Sequence, residues 1–507
     1  MLEAEKSYSR ILKSSSIMGG AQGFNLLLGL LRIKFVALLI GPTGVGLIGI
    51  FHAIQNIAAT ASGMGINSSG VREVAEATGK ECNEHISRTV LTLKRLCWLT
   101  GLIGAILLLT LAAPISKLSF GSTEYTGQVM CLAISVFLGS IAAGQMALLQ
   151  GMRRIGDLAR VNIISSLSAT AAAIGFYYWL GLKGIIPAII MISVTMLISS
   201  FWYSRKVKID RVDMTWLETI TSAKSLILLG VVFMTTALIT GIVDYVTISL
   251  ISNYINLVSV GIYAAAYRLS GLFLNFILNA MGADFYPQLT AASSCHKKMG
   301  SLVNYQTEIG LLLAVPGLLA TLILAPWLIT VFYTQAFAES AHLVQWLILG
   351  CLGRVVSWPM GYIMLAKGVG RVYLVTETIS HIAHLCLIWV GLHWLGLKGV
   401  AIAFCVLNIL YPIVVMRVSR HLIAFKWTES VKKLLCIFAP LLVGAMVLCS
   451  YCTLLVSTIV GCIIIAVVGI YCVRELCRRL GANHNLVVKL QMIPGVNMVI
   501  GTKVIRG

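Results

Sequence analysis

The sequence predicts an all-α, polytopic membrane protein. It has about 14 transmembrane helices, arranged as two parallel six-helix lobes around a central cleft plus two C-terminal helices. Three observations carry this. Of 507 residues, 58% are hydrophobic and only 11% charged, against about 25% charged in a soluble domain. Apolar runs long enough to cross a bilayer as helices recur from end to end. And the string WLGLKG occurs twice, at Trp179–Gly184 and Trp394–Gly399.

Helices are the default because backbone polar groups in lipid must be satisfied within the segment. The ten-residue alternation of a membrane β-barrel is missing. In order, the runs place spans at 14–39, 44–67, 90–113, 126–150, 159–180 and 183–203, then 226–251, 256–283, 303–332, 343–366, 372–393 and 397–416, then 433–451 and 453–473. Domain organisation follows: an N-terminal lobe over 1–203, a linker over 204–225, a C-terminal lobe over 226–416, two additional helices over 433–473 and a polar tail over 474–507. The N-terminal MLEAEKSYSRILKSSS is amphipathic and mixed in charge, unlike a cleavable signal. The thirteen cysteines are scattered through apolar runs as small hydrophobes, with a CxxC, Cys449 and Cys452, at one short turn.

Charge orients the spans. With the N-terminus inside, 31 of the 38 Lys and Arg fall at the cytoplasmic ends, and three (Lys117, Lys183 and Lys398) at the outer ends. That asymmetry follows the positive-inside rule and puts both termini in the cytoplasm. The net charge of +20 is accounted for by an anionic leaflet, with no call for nucleic acid. No loop is large enough for a catalytic domain. Neither a phosphate-cradling GxxxxGK[ST] nor an HExxH occurs. A membrane polysaccharide polymerase or ligase would need a sizeable outer loop, so enzyme chemistry is not expected.

Both WLGLKG copies fall in the turn between the fifth and sixth spans of a six-span group. VGLIG at Val45 matches VGIYA at Val260, APISKLSF at Ala113 matches APWLITVF at Ala325, and GMRR at Gly151 matches GVGR at Gly368. All these offsets lie within two or three residues of 215, as an internal duplication requires. Six is even, so the halves insert in the same sense about an axis along the membrane normal, an arrangement of alternating-access carriers.

The opening GGAQGFNLLLGLLRIKFVALLIGPTGVGLIGIFHAIQNIAATASGMGINSSGVREVAEA resembles Wzx-type O-antigen translocases of the multidrug/oligosaccharidyl-lipid/polysaccharide (MOP) exporter superfamily. The likeness rests on Lys34 seven residues before GPTGVG, on GMGINSSGVRE closing the second span, and on the repeated AP in the third and ninth spans. It covers residues 10–420. The two extra spans are more like fourteen-helix exporters, including the peptidoglycan-precursor flippase. The resemblance implies flipping of a polyprenyl-diphosphate-linked oligosaccharide from the inner to the outer leaflet of the bacterial inner membrane. It implies no organic cofactor, and an ion gradient (H+ or Na+) or the membrane potential as drive. Its partners would be the lipid-linked glycan, membrane lipids and glycan polymerase machinery. A cation-coupled multidrug antiporter of the same superfamily is the rival reading.

Four bases lie inside spans: Arg32, Lys34, Arg268 and Arg354. Ionisable groups at that depth face a bundle interior or a wet cavity. Arg268 and Arg354 fall near the midpoints of spans eight and ten. Arg32 and Lys34 lie roughly 8–11 Å beyond the middle of span one at about 1.5 Å per residue. Arginine keeps its charge and offers a planar fork of donors suited to phosphate. Ion pairing is the alternative, with Asp244 a partner for Arg32. Arg268, Asn275 and Asn279 make a polar stripe with Gly271, and span two carries His52, Gln55 and Asn56, amide and imidazole groups that suit sugar hydroxyls or interhelical bonds. Glu377, His381 and His384 share one helix face. That ladder and Asp244 are candidate ion-coupling sites. No metal-ligand spacing occurs.

Overall fold

With lipid as solvent, each segment must close its own hydrogen bonds, and the computed structural model is helical throughout its described core. It describes 2–79, 83–152, 154–207, 210 and 212–480. Side chains are described from residue 23 onward, except at 67–68, 79, 83, 85, 220–230, 232–233, 280, 283–284, 287 and 480. Of the expected tail, 481–507 lies outside the described residues.

Sixteen helices follow in order among the described residues: α1 (Leu2–Gly63), α2 (Ile66–Gly79), α3 (Asn83–Thr110), α4 (Ala112–Phe120), α5 (Thr126–Gly151), α6 (Ile155–Leu180), α7 (Ile185–Ser204), α8 (Trp216–Tyr254), α9 (Leu257–Ala291), α10 (His296–Ile323), α11 (Ala325–Phe332), α12 (Ser340–Ala366), α13 (Gly370–Leu395), α14 (Leu397–Ile423), α15 (Glu429–Tyr451) and α16 (Leu454–Leu480). Among the described residues, twelve apolar stretches are long enough to cross a membrane. Two of them, Gly23–Gly63 and Ile155–Ser204, are 41 and 50 residues long. Each holds two helical segments, joined at Gly41 (φ 60°, ψ −168°) and through the turn 181–184. Fourteen membrane segments result, as the sequence predicts.

The chain divides into two compact units, one of Met1–Ile262 with Phe332–Ala336, the other of Tyr263–Val331 with Phe337–Gly507. The division falls inside α9. In the first unit α3 packs on α5, α5 on α7, α6 on α7 and α1, and α8 on α1 and α2. In the second, α10 packs on α12, α12 on α14 and α13 on α14. The pairing pattern of α3, α5, α6 and α7 is thus repeated by α10, α12, α13 and α14.

The repeat extends to backbone angles. Gly181 has φ 55° and ψ −130°, and Gly396, 215 residues later, has φ 57° and ψ −140°. Only glycine takes such angles cheaply. Three residues on, a Cβ on Gly184 would sit 2.3 Å from the carbonyl oxygen of Phe176, and one on Gly399 1.8 Å from that of Gly391. The two Trp side chains of the repeated string, Trp179 and Trp394, are 83% and 82% exposed, suited to a membrane interface. The same turn is therefore built twice, including its single permitted residue type. A second turn recurs at the 215-residue offset, after α5 and after α12: Arg154 N–H donates to Leu149 O at 2.9 Å and Val369 N–H to Met364 O at 3.1 Å.

Several boundaries differ from expectation. The third and ninth spans end early, at Thr110 and Ile323, and short helices α4 and α11 follow. Pro114 and Pro326 sit in the first turns of these helices, where a missing N–H costs nothing. α8 starts ten residues before the expected span because Thr215 and Glu218 form a capping box, Thr215 N–H donating to Glu218 Oε2 at 2.9 Å. α16 runs on to Leu480, into the expected tail. Cys449 and Cys452 are free thiols.

Within the second unit, helices α15 and α16 lie against α10. Gly461 comes so close to α10 that a Cβ there would meet Ile323 Cγ2 at 2.3 Å. Trp327 Nε1 donates to Thr458 Oγ1 at 3.0 Å. At the other end of α16, Arg479 pairs with buried Glu308 of α10 and with Glu475 (2.9 Å), and donates to Ser430 Oγ at 2.6 Å. Thr428 Oγ1 donates to Glu308 as well, at 3.0 Å. The outward face, with Ile459, Ile463 and Val467 all at least 60% exposed, is apolar and fit for lipid.

Candidate functional site

Two of the intramembrane bases fall in the second unit. Arg268 lies on α9 with an exposed side chain, and Arg354 on α12 is half-buried. The helices touch between them: Cys351 Sγ lies 3.8 Å from Ser270 O. More than three turns further along α9, Gly282 packs on Trp358, and the Phe285 and Trp358 rings stack at 6.0 Å. Among the described residues, neither arginine has a carboxylate within ion-pair distance. An uncompensated guanidinium at membrane depth demands water or an anion.

The stripe beyond Arg268 has the expected geometry. Asn275 and Asn279 are exposed. A Cβ on Gly271 would lie 3.1 Å from Asn275 Nδ2, so these residues do share one face. The absence of a side chain at 271 leaves the Asn275 amide room.

In the first unit, Arg32 and Lys34 are both half-buried on α1. Arg32 is near enough to Tyr177 of α6 for its charge to be felt there. Lys34 Nζ donates to the backbone carbonyl of Tyr333, in the short segment after α11 that belongs to this unit. Asp244 is exposed on α8, next to Tyr245, whose hydroxyl pairs with Ser119 Oγ at 2.7 Å. His52 and Gln55 are half-buried and Asn56 exposed. Asn56 lines a cavity of about 420 Å³ together with Thr60, Thr100, Ser140 and several glycines. The sequence reading missed Thr60, Thr100 and Ser140, which sit on three different segments and show no periodic signal.

The ladder on α13 is more connected than sequence alone indicates. Glu377 and His381 approach to 3.7 Å. Tyr411 of α14 donates its hydroxyl to Glu377. His384, one turn on, packs on the Phe404 ring at 6.1 Å, and its Nε2 is buried without a hydrogen-bond partner. Tyr411 lies 34 residues from Glu377, so only the α13–α14 packing reveals it. Among the described residues, no group of three His, Cys, Asp or Glu is placed to hold a metal ion.

The helical architecture and the bases at membrane depth define a multi-pass membrane protein. The Polysaccharide biosynthesis protein family model matches residues 35–342, and the chain belongs to that family. It is 25% identical over 403 residues to proteins named lipid III flippase from Escherichia coli (strain K12) and Shigella flexneri, covering 76% of this chain and 92% of theirs. An inward-facing multidrug resistance MATE family transporter of the MOP superfamily superposes with a TM-score of 0.68 at 18% identity, over 81% of this chain and 96% of its own. The lipid II flippase MurJ, in an inward closed conformation, does so at 0.65 and 14% identity, over 90% and 99%.

Proposed function

We propose that this protein is a flippase for a polyprenyl-diphosphate-linked oligosaccharide, working by alternating access between two six-helix lobes in a bacterial inner membrane. The observation that carries the reading is the pair of membrane-depth arginines on touching helices, free of carboxylates among the described residues. A diphosphate must leave water to cross, and two guanidinium forks replace part of its hydration with charge-assisted hydrogen bonds. Family membership and the similarity to a lipid III flippase support a lipid-linked glycan as cargo. The fold likeness to MurJ keeps a second headgroup in play, a peptidoglycan precursor with the same diphosphate chemistry.

The remaining residues offer further chemistry within each unit taken by itself. Asn275, Asn279, His52, Gln55 and Asn56, with Thr60, Thr100 and Ser140, offer neutral donors and acceptors to sugar hydroxyls. Arg32 and Lys34 add positive charge nearer the outer end. Glu377, held by Tyr411 and neighboured by His381 and His384, is the coupling site for H+ or Na+, with Asp244 as the rival. The protein performs no covalent step. The substrate changes leaflets, and the chain returns by ion or voltage energy.

Depleting the protein in its native host and identifying the lipid-linked glycan that builds up on the cytoplasmic leaflet tests this reading. Accumulation of one polyprenyl-diphosphate glycan is expected. Unchanged lipid-linked pools with raised sensitivity to cationic drugs would instead establish the multidrug antiporter.

A further inference from the structure

A second cavity, of about 280 Å³, opens between α3, α5 and α7 in the first unit, apart from every residue assigned above. Lys94, Arg205 and Gln145 give it polar walls, and Trp98 and Phe201 apolar ones. Gln145 is buried, and its Oε1 accepts from Ser200 Oγ at 2.6 Å. That bond fixes the amide, which keeps donor hydrogens on its nitrogen. The Arg205 guanidinium sits 5.3 Å from the Phe201 ring centroid, a cation–π arrangement that holds the charge at the cavity wall. Among the described residues neither Lys94 nor Arg205 has an ion-pair partner. No acid lines the cavity.

Two cations and an amide donor, with no acid, select a phosphate oxyanion. The apolar part of the wall says more. The Trp98 side chain is 56% exposed and that of Phe201 50%, at the end of the helices where Lys and Arg concentrate. A soluble anion gains nothing from those rings, whereas acyl chains do. We propose that this cavity binds the phosphate headgroup of an acidic phospholipid drawn from the leaflet around it. Basic pockets between membrane helices commonly hold such headgroups. The bound lipid would span α3, α5 and α7 and brace their packing. This site is independent of what the carrier moves.

Native mass spectrometry of the full-length protein released from nanodiscs containing phosphatidylglycerol and phosphatidylcholine tests it. The wild type should retain one phosphatidylglycerol in preference to phosphatidylcholine by roughly tenfold or more. Lys94→Gln with Arg205→Gln should abolish the preference. Lys94→Arg with Arg205→Lys should keep it, and Lys117→Gln, at the opposite end of the spans, should leave it untouched. Excess inorganic phosphate should not displace the lipid. The proposal is overturned if the double glutamine variant retains phosphatidylglycerol as the wild type does, or if inorganic phosphate displaces it. Preferential retention of a polyprenyl phosphate at this cavity would overturn it too. Should the double glutamine variant fail to fold, the charge-preserving pair and the phosphate competition still decide the question.

Discussion

Gly261→Ala is the substitution whose consequence the structure specifies most closely. A Cβ on Gly261 would lie 1.9 Å from Pro42 O and 2.7 Å from Pro42 C. In the reciprocal place, a Cβ on Gly46 would lie 2.3 Å from Leu257 O. Pro42 and Leu257 are 215 residues apart, as are Gly46 and Gly261, so one contact is made twice by related segments. Carbon and carbonyl oxygen need about 3.3 Å. One added methyl must therefore push two backbones apart by more than an ångström, and no flexible side chain is there to yield. Overpacking of this kind costs about 1–3 kcal/mol, a roughly 5- to 150-fold shift away from the packed arrangement. Under the proposed alternating-access function, with the N-terminus inside, this contact lies at the outer end of the spans and has to open and close. Hydrogen exchange of the amides at 43–51 and 257–262 reads the shift. Gly261→Ala should accelerate it by that factor, whereas Gly469→Ala, with nothing within 4 Å of its Cβ, should not. Because the two contacts share one gap, adding Gly46→Ala should cost clearly less than it does alone. Equal exchange in Gly261→Ala and Gly469→Ala would refute the close-approach reasoning.

Other outcomes follow from named contacts. Glu308→Gln should loosen α15 and α16 from α10 by breaking the Arg479 pair. A buried pair of this sort is worth about 3–5 kcal/mol to break, and solvent access to Arg479, whose side chain is 24% exposed, reduces that to about 1–3 kcal/mol. Thermal unfolding in detergent, with proteolysis between α14 and α15, measures it; an unchanged midpoint would contradict the staple. Tyr411→Phe removes the hydroxyl that Glu377 accepts. Transport should then depend differently on an imposed pH or sodium gradient, and an unaltered dependence would remove Glu377 from the coupling role. The Glu218 carboxyl is held below its usual value by the backbone N–H of Thr215. Its cap should therefore be intact above the ordinary carboxylate range and fail as pH falls through the lowered folded value, faster exchange at 216–219 at acid pH being the sign.

How much was legible in the sequence depends on the range of the signal. Hydropathy and charge bias are local, so the fourteen membrane segments could be placed from composition. The repeat was legible because its strings mark turns that only glycine can make, at Gly181 and Gly396. The start of α8 was written in Thr215 and Glu218 and overlooked, since the apolar run begins later. Contacts between distant segments had no such trace. Tyr411 on Glu377, Arg479 on Glu308 and the hydroxyls around Asn56 depend on which helices become neighbours. No spacing rule connects residues 34 or 171 positions apart.

The central claim is that Arg268 and Arg354 carry the charge of a phosphorylated headgroup across the membrane. Proteoliposomes holding the wild type or Arg268→Gln with Arg354→Gln, loaded with a polyprenyl-diphosphate-linked sugar, measure it directly. Each charge-assisted hydrogen bond is worth about 1.5–3 kcal/mol, so the double variant should flip at least roughly 100-fold more slowly, and Arg268→Lys with Arg354→Lys should recover part of the rate. Flipping by the glutamine variant at the wild-type rate would contradict the account.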